Sequence, residues 1–429
     1  MTIMRPLELS KEFKEVLDAM EKTPANLFIT GKAGTGKSTL LQLFRNTTRK
    51  KAIFLAPTGI AALNIQGQTI HSFFGFPPKP IAKQDIKPRR AKKLYQNIEV
   101  MVVDEISMVR ADMLDNMDYF LRLNRNNMAQ PFGGVQVFFF GDLFQLPPVV
   151  SSEEERFMLQ MRYSSPYFFS AEVFPLLHMQ MVELTRIYRQ EERLFIRLLN
   201  SVRLNNADMD DLCDLNERHL PQFDAGDGYI TLSARNAQAN DLNIKKLRDI
   251  PFSEQTYISK VTGDFPPTVF PTEPILKLKE GAQIMFVKND PQRQFVNGTI
   301  GRVHALTPDS IKVSVEEEGK PRLVEVEKAT WEVLQYKANE KDGSIETSTV
   351  GTFEQFPLKL AWAITIHKSQ GKTFDRVVID LGKGAFEHGQ TYVALSRCRT
   401  LGGIVLRQPI RPSDIMTDER VIDFYKSEL

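Results

Sequence analysis

The chain has 429 residues, 42% of them hydrophobic and 25% charged, with a formal net charge of +2. Those values are ordinary for a globular protein of roughly two to four compact units. They exclude a membrane-spanning helix, since no apolar run is long enough to cross a bilayer. The two distant cysteines, Cys213 and Cys398, exclude a disulfide framework or a cysteine-only zinc site. The six histidines are scattered, so no metal cluster is expected. Met1–Lys14 mixes Glu8, Lys11 and Glu12 without a signal-peptide core, which points to a cytoplasmic location, at a bacterial nucleoid. A net charge near zero neither supports nor excludes a nucleic-acid partner, because a local groove can be basic on a neutral protein.

In chain order, the first strand candidate is Leu27–Thr30, and Gly31-Lys32-Ala33-Gly34-Thr35-Gly36-Lys37-Ser38 follows it into a helical stretch, Ser38–Thr48. Strand, Gly-rich loop and helix start are the context a P-loop needs. The glycines let backbone N–H groups turn inward onto phosphate oxygens, and the helix N-terminus adds partial positive charge. Lys37 then reaches the β- and γ-phosphates, and Ser38 holds Mg²⁺. Three more strands, Ala52–Ala56, Glu99–Val103 and Val135–Phe140, and a helix over Ala111–Arg125 imply a parallel sheet covered on both faces. Ligands gather at the carboxyl ends of such strands.

Those ends carry chemistry. After Val102-Val103, Asp104 suits Mg²⁺ and Glu105 suits polarising the attacking water. In Gly141-Asp142-Leu143-Phe144-Gln145-Leu146-Pro147-Pro148, Gln145 is placed to sense a γ-phosphate; a proline-stiffened turn is the plainer reading. Ala56-Pro57-Thr58-Gly59 opens a helix and offers N–H donors to a phosphate. Thr69-Ile70-His71-Ser72-Phe73-Phe74 sets polar groups beside aromatics that would stack on bases of a single strand, or that simply fill a core. The run Lys87-Pro88-Arg89-Arg90-Ala91-Lys92-Lys93 is either a solvated loop or a phosphate contact.

From about Phe174–Arg189 the texture changes. Glu191–Arg203 reads as a helix with one apolar face, and Gly228–Leu232, Ala282–Val287, Leu360–Thr365, Arg376–Leu381 and Gly403–Leu406 read as strands of a second α/β unit. Alternating, turn-punctuated segments around Ile311–Val315 and Leu323–Val326 suggest a small antiparallel barrel inserted into it. Arg189, in Leu184–Gln190, and Arg397, in Tyr392–Arg399, lie far from the P-loop in sequence. Delivered from a second lobe, such arginines neutralise transition-state charge. Trp362–Thr373 ends an apolar strand in His367-Lys368-Ser369-Gln370-Gly371-Lys372-Thr373, polar donors that mirror the Ala56–Ala62 tip.

Taken together, the segments resemble the Pif-one-type helicases, RecD-like members of superfamily 1, from Phe28 to Leu406. The likeness rests on Gly31–Ser38, Ala56–Ala62 with Gly67–Phe74, Val103–Met108, Gly141–Val149, Thr185–Gln190, Phe195–Arg203 and Trp362–Thr373 with Tyr392–Arg397. It implies an α/β fold of two RecA-like parallel-sheet lobes: 1A over 1–63 and 97–180, and 2A over 181–296 and 356–429. A wedge, 1B, would occupy 64–96, and an SH3-like β-barrel, 2B, 297–355. It implies ATP and Mg²⁺ as cofactors. Catalysis would fall to Lys37, Glu105, Gln145, Arg189 and Arg397, with Mg²⁺ on Ser38 and Asp104. Nucleotide contacts would come from Gly34, Thr35, Gly36, Lys37, Ser38, Thr39, Asp104, Gln145, Arg189, Gly371 and Arg397. Single-stranded DNA would meet Pro57, Thr58, Gly59, His71, Ser72, Phe73, Asn297, His367, Lys368 and Ser369. It implies 5′-to-3′ translocation and unwinding by a monomer at single-strand/duplex junctions. Pairing on DNA, and a preference for forks, G-quadruplexes or RNA–DNA hybrids, stay open. Where related helicases often carry an adenine-reading glutamine, the stretch Leu9-Ser10-Lys11-Glu12-Phe13 has Phe13, which leaves base selectivity open. A nucleotide-gated DNA clamp that does not unwind is the alternative; the second α/β unit and its arginines disfavour a small-molecule kinase.

Overall fold

The computed structural model describes residues 10–428 apart from 78, 91, 151, 227, 318 and 319. Met1–Leu9, Ala91 of the basic run and the Glu318-Gly319 turn therefore lie outside the described residues. Six parallel strands form the first sheet, in the order Gln68–Thr69, Ala52–Ala56, Val100–Val103, Gln136–Phe140, Leu27–Gly31, Gln180–Leu184. Its four central strands are mainly apolar because both faces are covered, while the edge strands Gln68–Thr69 and Gln180–Leu184 carry polar residues. Leu27, Ile29, Val100, Val102, Phe138 and Phe140 face the helices Lys11–Lys22 and Lys37–Thr47. Phe28, Met101, Val103, Val137 and Phe139 face the helix Ala111–Arg125 through Leu114, Met117 and Leu121. The strict alternation is the period of two that a strand imposes.

The second parallel sheet runs Ala363–Thr365, Ile230–Ser233, Val377–Asp380, Ile404–Leu406. Between its first two chain segments lies antiparallel structure: a five-stranded sheet, Lys320–Val326, Ile311–Glu317, Ile300–Leu306, Gln283–Phe286, Leu358–Leu360, and a long hairpin, Ala329–Ala338 with Ile345–Gln355, edged by Lys260–Gly263.

Five expectations are corrected. The strand within Ala282–Val287 pairs antiparallel with Ile300–Leu306, not with the second parallel sheet. The single strand expected over Leu360–Thr365 is two, Leu358–Leu360 in the antiparallel sheet and Ala363–Thr365 in the parallel one. Antiparallel strands thus span 255–360, beyond the 297–355 expected. Short apolar runs carry no label saying which sheet will bury them. Gln180–Leu184 pairs with Leu27–Gly31, so the first sheet runs past the boundary at 180. The segment 64–96 begins as part of the first lobe: Gln68–Thr69 is its edge strand, and Phe73, Phe74, Phe76, Ile86 and Tyr95 fill its core.

The long hairpin lies across that lobe. Tyr336, 5% exposed, accepts a hydrogen bond from the Phe54 N–H at 3.0 Å and sets its ring 6.0 Å from that of Phe73. Trp331, Phe353 and Phe265 make a small core with Val269 and with Leu63 of the helix Gly59–Asn64.

Candidate nucleotide site and nucleic-acid track

The P-loop sits at the carboxyl end of Leu27–Gly31. Gly34 and Gly36 have φ of +85° and +87°, a region costly for residues with a Cβ. A Cβ on Gly34 would also meet the Arg189 Cβ at 2.5 Å, and one on Gly36 the Phe13 Cζ at 2.7 Å. Gly36 caps the helix Lys37–Thr47 without a side-chain acceptor, so the first amides remain available to a phosphate. Lys37 Nζ donates to the carbonyls of Gly31 and Lys32 at 2.7 and 3.1 Å. Burial lowers its pKa, against Asp142 and Glu105, which favour its charge. Thr35 is buried and donates to the Lys32 carbonyl, whereas Ser38 and Thr39 are exposed at the loop's mouth.

Asp104 and Glu105 follow Val100–Val103. Glu105 takes a left-handed backbone, φ +50°, which is strained for a non-glycine residue and ends the strand abruptly. Burial, then the neighbouring Glu105, raises the Asp104 pKa to about 7; burial also raises that of Glu105, against Lys37 and Arg397. No group of three or more His, Cys, Asp or Glu is placed to hold a metal among the described residues. One hydroxyl, Ser38, and one carboxylate, Asp104, nonetheless suit Mg²⁺, which takes one or two carboxylates plus nucleotide phosphates and water.

Residues distant in sequence complete the seam. Tyr392 accepts from the P-loop N–H of Ala33 at 2.9 Å, and the Tyr188 N–H donates to the Gly34 carbonyl at 2.9 Å. Arg189 donates to the Ser396 carbonyl at 3.0 Å. Burial lowers its pKa first, then the charge of Arg397. Arg397 is buried, donating from Nε to the Val393 carbonyl and from Nη1 to those of Ser369 and Lys372. Lys37 and Arg397 thus act on Glu105 from both lobes, and the charge of Arg189 is felt by Lys37. Gln145 donates to Asp142 at 3.2 Å.

The sequence reading missed Asp142, Tyr392 and Arg203 as parts of this site. Arg203 is buried 3.5 Å from Asp142, with its guanidinium 4.1 Å from the Phe144 ring centroid. All three lie in segments singled out for other residues, and nothing in the sequence pairs them.

The expected DNA-facing residues separate into two groups. Thr58 and Ser72 are exposed; Thr58 caps the Gly59–Asn64 helix, and His71 is half-buried. On the other lobe Lys368 is exposed, and His367 Nε2 lies 2.8 Å from Glu387, a partner no motif announced. Asn297 accepts from Lys372 at 2.5 Å. Three expectations do not fit this arrangement. Phe73 is 5% exposed and enclosed by Phe74, Tyr95 and Tyr336, which leaves no face for a base. Ser369 is buried and donates to the Ile366 carbonyl at 2.6 Å. Gly371 rims a cavity of about 950 Å³ with Asn297–Gly301, Arg376 and Arg399, whose lining holds no P-loop residue. Gly59 lies under Val269; a Cβ there would meet its Cγ1 at 2.2 Å. The basic run is largely used within the fold, Arg89 donating to the Phe74 carbonyl and Lys93 to that of Glu340.

Two parallel sheets, a phosphate loop at one strand end and arginines facing it define a RecA-like P-loop nucleoside triphosphatase of two lobes. Comparison with known proteins narrows this. A family model, PIF1-like helicase, matches residues 8–211. The ATP-dependent DNA helicase Pif1 of Bdellovibrio bacteriovorus is 35% identical over 98% of this chain and 92% of its own. The crystal structure of Bacteroides sp. Pif1 in complex with ADP-AlF4 is 39% identical, covers 98% of this chain and 97% of its own, and superposes with a TM-score of 0.91. Bacteroides Pif1 bound to ssDNA, with the same identity and coverage, scores 0.70. The chain belongs to the PIF1-like helicase family.

Proposed function

We propose that this chain is an ATP-dependent DNA helicase that moves 5′ to 3′ on single-stranded DNA and opens duplex at its junctions. The observation that carries this reading is the seam, where Lys37 and Arg397 act on Glu105, Arg189 stands beside Arg397, and no side chain caps the P-loop helix. Such a cluster suits a triphosphate, whose charge it would share. ATP supplies the cleavable phosphoanhydride and Mg²⁺ would neutralise its oxygens; Ser38 and Asp104 are the residues to hold the ion. Glu105 orients and deprotonates the attacking water, Gln145, bonded to Asp142, would sense the γ-phosphate, and the arginines stabilise the charge that develops on the phosphoryl oxygens. Arg397 also grips the Ser369 and Lys372 carbonyls, so drawing its guanidinium toward a phosphate pulls on the His367–Ser369 turn.

Single-stranded DNA is the track this reading gives to Thr58, Gly59, His71 and Ser72 on one lobe and Asn297, His367 and Lys368 on the other. Val269 over Gly59 and Tyr336 over Phe54 imply that the hairpin region leaves the first lobe before a strand can lie there. The lower TM-score against the DNA-bound Bacteroides relative, at equal identity, supports a rearrangement of this kind. Opening a base-pair step costs about 1.4 kcal/mol of stacking, and an exposed ring that catches a freed base returns about 1–3 kcal/mol; Phe73 becomes such a ring only once uncovered.

The decisive experiment is strand displacement from duplexes with 5′ or 3′ overhangs, with and without ATP, beside ATPase rates with and without oligonucleotide. Displacement only with ATP and a 5′ overhang is expected. DNA-stimulated hydrolysis without displacement would make the protein a clamp. Hydrolysis indifferent to DNA would end the motor reading.

A further inference from the structure

Beside the proposed DNA-facing tip His367–Lys368 lies a cluster of positive charge, two of whose members, Lys359 and Lys372, no motif assigned. Lys359 is on the Leu358–Leu360 strand of the antiparallel sheet, in register with Met285; Lys368 and Lys372 are on the turn that follows Ala363–Thr365 in the parallel sheet. Among the described residues, Lys359 forms an ion pair with Glu273 at 3.2 Å. The half-buried Lys372 has a neutral partner instead, the Asn297 Oδ1 at 2.5 Å, and Asn297 is held in turn by its N–H on the Asn289 side chain at 2.8 Å. Glu273 thus acts on Lys359 and Lys368 where the two sheets meet, while Lys372 keeps its neutral partner Asn297. Lys359 acts electrostatically on both of the others, and the Arg397 guanidinium adds charge behind the turn, on the carbonyl of Lys372. An ammonium taken partly out of water beside like charges is held at a cost that an anion would relieve.

We infer that Lys359 and Lys372, with Lys368 and Asn297, form a cradle for a backbone phosphate of the bound single strand, extending the track from the parallel sheet onto the antiparallel insertion. The inference rests on the reading of His367–Lys368 as a DNA-facing tip and adds two residues to it. A strand phosphate is the fitting ligand because the cradle shares its turn with that tip, so the next phosphate along would fall there. Burial, then Lys359, holds the Lys372 pKa down to about 8. Bound phosphate would raise it again, so binding takes up a proton and weakens as pH rises through about 8.

The test is fluorescence-anisotropy titration of labelled oligo(dT) with the full chain, without nucleotide, across a series of KCl concentrations. Each charge removed from a phosphate contact should shrink the slope of log affinity against log salt by about 0.7. Lys359→Met and Lys372→Met are each expected to lose that much, and Lys372→Arg to retain the slope. Lys372→Gln, which keeps an N–H donor toward Asn297, serves if the methionine variant unfolds, and it should also flatten the pH dependence near 8. If Lys368→Met lowers the slope while the Lys359 and Lys372 variants leave it unchanged, the cradle is wrong and the track reading stands. If the unaltered protein itself shows no salt-dependent binding, the track reading falls with it. Loss of slope in Lys372→Gln that free inorganic phosphate reproduces in the parent at millimolar concentration would assign the site to a small anion and overturn the strand phosphate.

Discussion

The candidate nucleotide seam and the proposed nucleic-acid track are made of the same kind of part, polar tips at the carboxyl ends of parallel strands, yet they differ in how far protein contacts hold them. In the seam, Ala33 is bonded to Tyr392, Gly34 to Tyr188 and Arg189 to Ser396, so residues remote in sequence are tied together by protein contacts alone. Along the proposed track, Gly59 is covered by Val269, Phe73 is packed against Tyr336, and among the described residues no hydrogen bond joins the two lobes' tips. Preorganised charge favours fast chemistry, because no reorganisation is needed at the moment of reaction. A covered track favours control, because the strand must be exchanged for a protein contact of similar strength.

Experiments on the seam should give the largest effects. Arg397→Ala is expected to lower ATP turnover by about 10³–10⁵-fold while nucleotide binding persists; steady-state ATPase beside a fluorescent-nucleotide titration checks this, and near-normal turnover would remove Arg397 from the site. Lys37→Ala should abolish hydrolysis and unwinding yet leave oligonucleotide binding measurable by anisotropy. Arg203→Ala leaves Asp142 buried without its cation and should cost about 3–5 kcal/mol of stability, read as a lower urea midpoint; the seam, not the track, should be the region that loosens. The smallest effect belongs to the track. Tyr336→Phe keeps the ring and removes the acceptor for the Phe54 N–H. A loss of about 1 kcal/mol from the covered state should tighten single-strand binding about fivefold if uncovering limits it. An unchanged Kd would mean that the hairpin need not leave.

The comparison also explains what could be read in advance. Gly31–Ser38 and Asp104-Glu105 were legible because their chemistry is local: a tight loop, a strand end and a helix start within a few residues. Phe73 shows the opposite case. Aromatic and adjacent to His71 and Ser72, it reads as a stacking residue, but the ring's fate depends on Tyr336, more than 250 residues later. Gln283–Phe286 is similar, since four apolar residues suit a parallel or an antiparallel sheet equally and only the partner strand Ile300–Leu306 chooses.

By itself the sequence determined the phosphate loop, the acidic strand end, the alternation of strands and helices in the first lobe, and the presence of a turn-rich insertion in the second. Periodicity and short-range spacing encode these, and they survive whatever the rest of the chain does. Tertiary structure alone decided which strands joined which sheet, that Asp142 would meet Arg203, that Lys372 would meet Asn297, and that the hairpin would lie over Phe54 and Phe73 of the first lobe. Each of those is a contact between segments far apart in the chain, fixed by how faces bury one another rather than by any local pattern.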